Sequence, residues 1–83
     1  MFLAKIYITL KSTVNDPQGQ TVHGGLKTLG YDSVESVRMG KYLEVKIQAD
    51  ERSGAEAQIS EMCHKLLSNP VIEDFHFDLE ELS

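Results

Sequence analysis

Residues 34–49 read VESVRMGKYLEVKIQA, and the fold turns on whether this stretch is one strand or two. Its odd positions are Glu35, Val37, Met39, Lys41, Leu43, Val45, Ile47 and Ala49. Its even positions include Ser36, Arg38, Gly40, Tyr42, Glu44, Lys46 and Gln48. Mostly apolar residues on one parity and polar residues on the other give the period of a strand with one buried face. The alternation survives Gly40, which supports one long strand with a bend or bulge at the glycine. The alternative is two shorter strands joined tightly at Met39–Lys41, although no Asn-Gly or Asp-Gly hairpin signal is present. An unbroken strand is long for so small a chain. Part of it is therefore expected to reach past its own sheet and pair elsewhere, a first pointer to oligomerisation.

On the N-terminal side, residues 2–11 (FLAKIYITLK) alternate cleanly. Phe2, Ala4, Ile6, Ile8 and Leu10 share one face of a strand; Leu3, Lys5, Tyr7, Thr9 and Lys11 form a mixed, partly exposed face. After the loop 12–16, Asp16 followed by Pro17 marks a helix start. The carboxylate can accept backbone N–H bonds of the first turn, and proline fits the first helical position. The helix is expected to run to about Leu29, with Val22, Leu26 and Leu29 on its apolar face and Gly30 at the terminating position. Gly24 and Gly25 stand out, each costing roughly 0.5–1 kcal/mol relative to alanine inside a helix. They fit close helix–sheet packing, a kink, or close approach by the backbone of another protein.

On the C-terminal side, residues 50–67 (DERSGAEAQISEMCHKLL) read as a second helix. Ser53 and Glu56 have the spacing of a capping box, with Asp50 as the cap of an earlier start. Ala55, Ile59, Met62, Cys63, Leu66 and Leu67 make the apolar stripe, and Glu61 with Lys65 is a favourable i,i+4 pair. Ser68, Asn69 and Pro70 end the helix. Residues 71–82 (VIEDFHFDLEEL) form a last strand with Phe75, Phe77 and Leu79 on its inner face. The expected fold is therefore α+β, one domain over residues 1–83 with order β-α-β(long, bent or split)-α-β. Two helices are expected on one face of a small antiparallel sheet. If the middle strand splits, the order approaches βαββαβ.

The 83 residues carry 8 basic and 13 acidic side chains, a net charge of −5. That balance opposes nucleic-acid binding and anionic membranes. The 41% apolar content excludes a disordered chain. A chain this small buries only about 60–65% of its unfolded surface, so its stability margin is thin and oligomerisation is a common remedy. The lone cysteine, Cys63, excludes an intrachain disulfide. No apolar run approaches the ~18 residues that span a bilayer, and Lys5 within the first strand argues against a signal peptide.

Candidate chemistry is sparse. Cys63 and His64 are adjacent on a helix and point about 100° apart, so they cannot pair; Cys63 reads as a core residue. His76 lies among Asp74, Asp78 and Glu80 as part of a solvated face, and His23 stands alone on the first helix. No phosphate-binding glycine motif is present. Arg38 and Lys41 flank Gly40, and the planar fork of Arg38 suits an interface carboxylate. The residues point to a binding or structural role.

Three stretches carry a resemblance: KIYITLKSTVNDPQGQTV at 5–22, LGYDSVESVRMGKYLEV at 29–45 and MCHKLLSNPVIEDFHFDLE at 62–80. Together they resemble the PurS family, the small subunit of phosphoribosylformylglycinamidine synthase, which acts in the fourth step of de novo purine biosynthesis. The resemblance implies a chain without an active site of its own, inside a glutamine- and ATP-dependent ligase complex. It implies a homodimer, or a dimer of dimers, that bridges a synthetase subunit (PurL) and a glutaminase subunit (PurQ) in the cytoplasm and supports ammonia transfer between them. It implies no cofactor on this chain, with ATP and Mg²⁺ used by the synthetase. Arg38, Lys41 and Tyr42 are the expected partner contacts, followed by Gln18 and Glu73. Competing readings are a metabolite sensor, a thiol enzyme built on Cys63, or an adaptor for unrelated partners.

Overall fold

The computed structural model describes residues 1–82. Strand β1 (Phe2–Leu10) is followed by helix α1 (Pro17–Thr28), strand β2 (Gly40–Ile47), helix α2 (Arg52–Met62), a single π turn (Cys63–Leu67) and strand β3 (Glu73–Glu81). The sheet is antiparallel, with β1 between β2 and β3. The order and sheet agree with the sequence reading. Ile6 lies between Leu43 and Phe77, and Ala4 between Val45 and Leu79. These inward positions meet Ala55, Ile59 and Cys63 of the second helical segment, which are fully buried. Each large aliphatic side chain so buried contributes about 1.5–3 kcal/mol, which seats α2 on the sheet.

The middle strand is shorter than its alternation suggests. β2 begins at Gly40, and residues 34–39 pair with no strand among the described residues. The reason is geometric. β1 ends at Leu10, Thr9 is the last residue to pair with β2, and its partner is Gly40. Past that point there is no ladder to join, and side chains hold the segment instead. Gly40 itself answers a close approach, since a Cβ there would stand 2.7 Å from the Ile8 carbonyl oxygen.

The second helix departs from expectation at both ends. It starts at Arg52 with Glu51 as a cap that makes no side-chain bond, so the Ser53–Glu56 capping box does not form. At the other end the Ser68 N–H donates to the Cys63 carbonyl at 3.0 Å, the five-residue span of a π turn. Widening the last turn rotates Leu66 off the apolar stripe, leaving it 82% exposed while Leu67 stays partly buried.

Helix α1 forms as its signals dictate. Asp16 caps it and Pro17 opens it. At its end Gly30 takes φ 97°, with Gly30 N–H donating to Lys27 and Tyr31 N–H to Leu26, a Schellman termination. It does not lie on the sheet beside α2. Gly19 is its only buried residue, while Val22 and Leu29 are exposed. The long dimension of the molecule is 51 Å. A nine-residue strand of about 30 Å and a 12-residue helix of about 18 Å supply that length only when laid nearly end to end. The radius of gyration is 16.4 Å, against about 12 Å for a compact chain of this size.

Candidate functional site

The end of the sheet where β1 gives way to α1 gathers most of the expected contact residues. Asp16 organises it. Its buried carboxylate accepts the Gly19 N–H at 2.9 Å through one oxygen and the Met39 N–H at 2.7 Å through the other. The Met39 bond, then the Gly19 bond, hold this carboxyl below the usual carboxylate range. One side chain thus caps α1 and pins the entry to β2. Beside it lies a cavity of about 270 Å³ bordered by Leu10, Asp16, Gln18, Met39, Lys41 and Glu73.

Gln18, Lys41 and Glu73 therefore come together, although Lys41 and Glu73 already have partners within the chain. The Lys41 ammonium lies 3.7 Å from Glu73 and 3.4 Å from the Leu67 carbonyl, near the end of the helix where a cation is favoured. Glu73 accepts the Asn69 N–H at 2.6 Å and steadies the turn into β3. Arg38 works internally too: one guanidinium nitrogen donates to the Lys11 and Val14 carbonyls, each at 2.9 Å, and straps residues 34–39 to the loop before α1. The His23 ring bonds the Val34 carbonyl at 2.9 Å.

Tyr42 is on the other face of the sheet, away from this cluster. It forms one end of an aromatic row across all three strands. Its ring centroid is 5.1 Å from that of Tyr7, and the Tyr7 ring stacks on His76 at 4.7 Å. Its hydroxyl donates to Glu44 at 2.8 Å, and this bond pushes the phenol up to about 12. The adjacent row carries Glu44, Lys5 and Asp78 in register, with Lys5 bridging to Glu80 at 3.2 Å. The sequence reading missed this row; the mixed second face of β1 was its only signal.

Cys63 and His64 do not form a nucleophile–base pair. Cys63 is fully buried, and burial pushes its thiol up, away from the reactive thiolate. The neighbouring His64 ring packs edge-on against Phe75 at 5.0 Å. Among the described residues no three His, Cys, Asp or Glu side chains are placed to hold a metal ion. Among the described residues no helix is long and apolar enough to cross a membrane. What the surface offers instead is apolar side chains outside any core: Val22, Leu29 and Tyr31 around α1, Leu66 at the end of α2, and Val71 and Ile72 before β3.

Comparison with known proteins gives a consistent result. The family model "PurS: Phosphoribosylformylglycinamidine (FGAM) synthase" matches residues 3–81. A phosphoribosylformylglycinamidine synthase subunit PurS from Bacillus subtilis is 43% identical over 82 residues, covering 99% of this chain and 96% of its own. The structure of B. subtilis PurS superposes with a TM-score of 0.88 at 43% identity, over 98% of this chain and 100% of that one. A chain in the structure of PurLQS from Thermotoga maritima superposes with a TM-score of 0.85 at 25% identity, over 96% and 99% of the two chains.

Proposed function

The chain belongs to the PurS family of phosphoribosylformylglycinamidine synthase subunits, and from that premise we propose that it bridges the glutaminase and synthetase subunits of that complex. The observation that carries the reading is the end-to-end likeness to a chain of the PurLQS assembly. The absence of a nucleophile–base pair among the described residues, together with the apolar side chains left at the surface, supports a chain that works by contact. The enzyme as a whole is a glutamine- and ATP-dependent ligase. In the proposed division of labour the PurQ-type subunit releases ammonia, and the PurL-type subunit binds ATP, Mg²⁺ and the nucleotide. This chain holds the two in alignment. Ammonia protonates readily in water, so a sealed junction between the active sites protects it.

The unit that does this is residues 1–83 acting as one domain, as a homodimer or dimer of dimers in the cytoplasm. Residues 34–39, which have no ladder partner in their own sheet, support self-association. In this reading Gln18 and the exposed ring of Tyr42 touch partners directly. Arg38, Lys41 and Glu73 shape the sheet end that is presented, because their polar groups are engaged within the chain. The test is reconstitution from the three purified subunits, following formylglycinamidine ribonucleotide formation with glutamine or with ammonium chloride as nitrogen source. Glutamine-driven turnover should require the chain, and ammonia-driven turnover should not. Equal turnover without the chain from both sources would overturn the bridging role.

A further inference from the structure

The face of the sheet turned away from α2 is covered by no other element among the described residues. Its aromatic row, Tyr42–Tyr7–His76, takes one ring from each strand, with centroids 5.1 and 4.7 Å apart. The next row is Glu44–Lys5–Asp78, and the one after it Lys46–Leu3–Glu80. We propose that this outer face docks on a basic, arginine-bearing surface of a partner subunit, with the aromatic row as anchor and Glu44 and Asp78 as its charged contacts. The proposal deepens the bridging role and rests on it.

The pairing of charges singles out these two carboxylates. Asp74 and Glu80, on the same face, are already neutralised: Lys11 meets Asp74 at 2.7 Å, and Lys5 meets Glu80 at 3.2 Å. Lys5 stands in register between Glu44 and Asp78 and could serve either, yet it reaches past both. Glu44 is left with the Tyr42 hydroxyl at 2.8 Å. Asp78 has no ion-pair partner among the described residues. Both are exposed, two strand spacings or about 10 Å apart, along one side of the aromatic row. Cross-strand ring contacts stabilise the sheet in any case, but they do not account for a lysine that leaves two adjacent carboxylates open. Arginine fits such a face better than lysine. The Tyr42 ring, 52% exposed, lies beside Glu44, and a guanidinium can stack on a ring while its fork engages a carboxylate. Aromatic residues and arginine are the side chains that anchor interface centres. The same charges turn other occupants away. Nucleic acid meets an acidic face, and a second copy laid on this face would bring Glu44 and Asp78 up to their own equivalents.

The test is isothermal titration of the chain into the purified glutaminase subunit, the purified synthetase subunit and the two together, at low and high salt. Wild type should bind, and more weakly as salt rises. Glu44→Lys, Asp78→Lys and Tyr42→Ala should each raise the dissociation constant about tenfold or more. Lys46→Glu, which makes the same face more acidic, should lower it. Glu56→Lys, the same reversal on an exposed position of α2, should leave it unchanged. Opposite effects of Asp78→Lys and Lys46→Glu cannot arise from misfolding, and circular dichroism checks each variant. Wild-type affinity in both Glu44→Lys and Asp78→Lys would overturn the docking face while leaving the bridging role standing. Weaker binding by Lys46→Glu would overturn the basic character of the partner surface. Loss of self-association by Asp78→Lys in sedimentation equilibrium would assign the face to a second copy and overturn the proposal. No binding of wild type to either subunit or to both would overturn the bridging role itself.

Discussion

Replacing Gly24 and Gly25 one at a time by alanine separates the two roles of α1. A Cβ at either position meets nothing within 4 Å, so within one chain the only consequence is helix propensity, a gain of about 0.5–1 kcal/mol for each substitution. For a domain of this size 1 kcal/mol moves the melting temperature by about 4–8 °C, so each variant should gain roughly 2–8 °C. The two positions differ in direction. Gly25 belongs to the ridge with Val22 and Leu29, whereas Gly24 is rotated away from it. Thermal unfolding followed by circular dichroism at low protein concentration should show both variants stabilised. If the proposed self-association covers the Val22–Leu29 ridge, then at high concentration, where association would add its own stabilisation, Gly24→Ala should keep its advantage and Gly25→Ala should lose it, because its methyl stands on that ridge. Destabilisation of Gly24→Ala at low concentration would mean that its side of the helix touches something the structure leaves open. Identical behaviour of the two at high concentration would detach the ridge from association.

Ile59→Ala should cost about 2–5 kcal/mol in urea unfolding, since Ile59 is fully buried over β1. Against the ~4–12 kcal/mol expected for a chain of this length that is a large fraction, and a loss below ~1 kcal/mol would show that α2 is not seated there. The Cys63 thiol should resist maleimide in the native protein and react only at the rate of opening, because it is buried and its thiol is pushed up; immediate labelling would contradict its place in the core. Asp16→Asn should flatten the acid limb of stability. The carboxyl is held below its ordinary 3.8 by N–H donors that exist only in the folded chain. Its contribution is therefore full above about pH 4 and is lost as pH falls through the lower folded value. Parallel acid limbs for wild type and Asp16→Asn would refute that account.

The strands were legible because one parity of each is apolar, and the termini of α1 because Asp16, Pro17 and Gly30 act through local bonds. What escaped the sequence is tertiary. The alternation of residues 34–39 is real, yet a strand also needs a neighbour, and β1 stops where that neighbour would be. Val22, Leu26 and Leu29 do make an apolar stripe, but a stripe does not say whose sheet it covers. The π turn at Cys63–Leu67 has no signature in CHKLL, so nothing foretold that Leu66 would leave the core.

The same distinction governs the candidate contacts. Arg38 and Lys41 flank a glycine as the sequence suggested, but charged side chains next to free backbone carbonyls bond those carbonyls first. Those bonds fix the shape of the surface at this end of the sheet. Truncating Arg38 therefore acts by loosening the strap between residues 34–39 and the loop before α1, and through Asp16 that slack reaches the start of the helix. The apolar residues argue in the opposite direction. A chain of this size gains little from displaying Val22, Leu29, Leu66 and Val71 to water, and its own core could have been closed by folding α1 back onto the sheet. Holding the helix out by a capped, strapped and well-terminated geometry makes sense for a chain whose core is completed by association, which is the physical signature of a subunit built to join others.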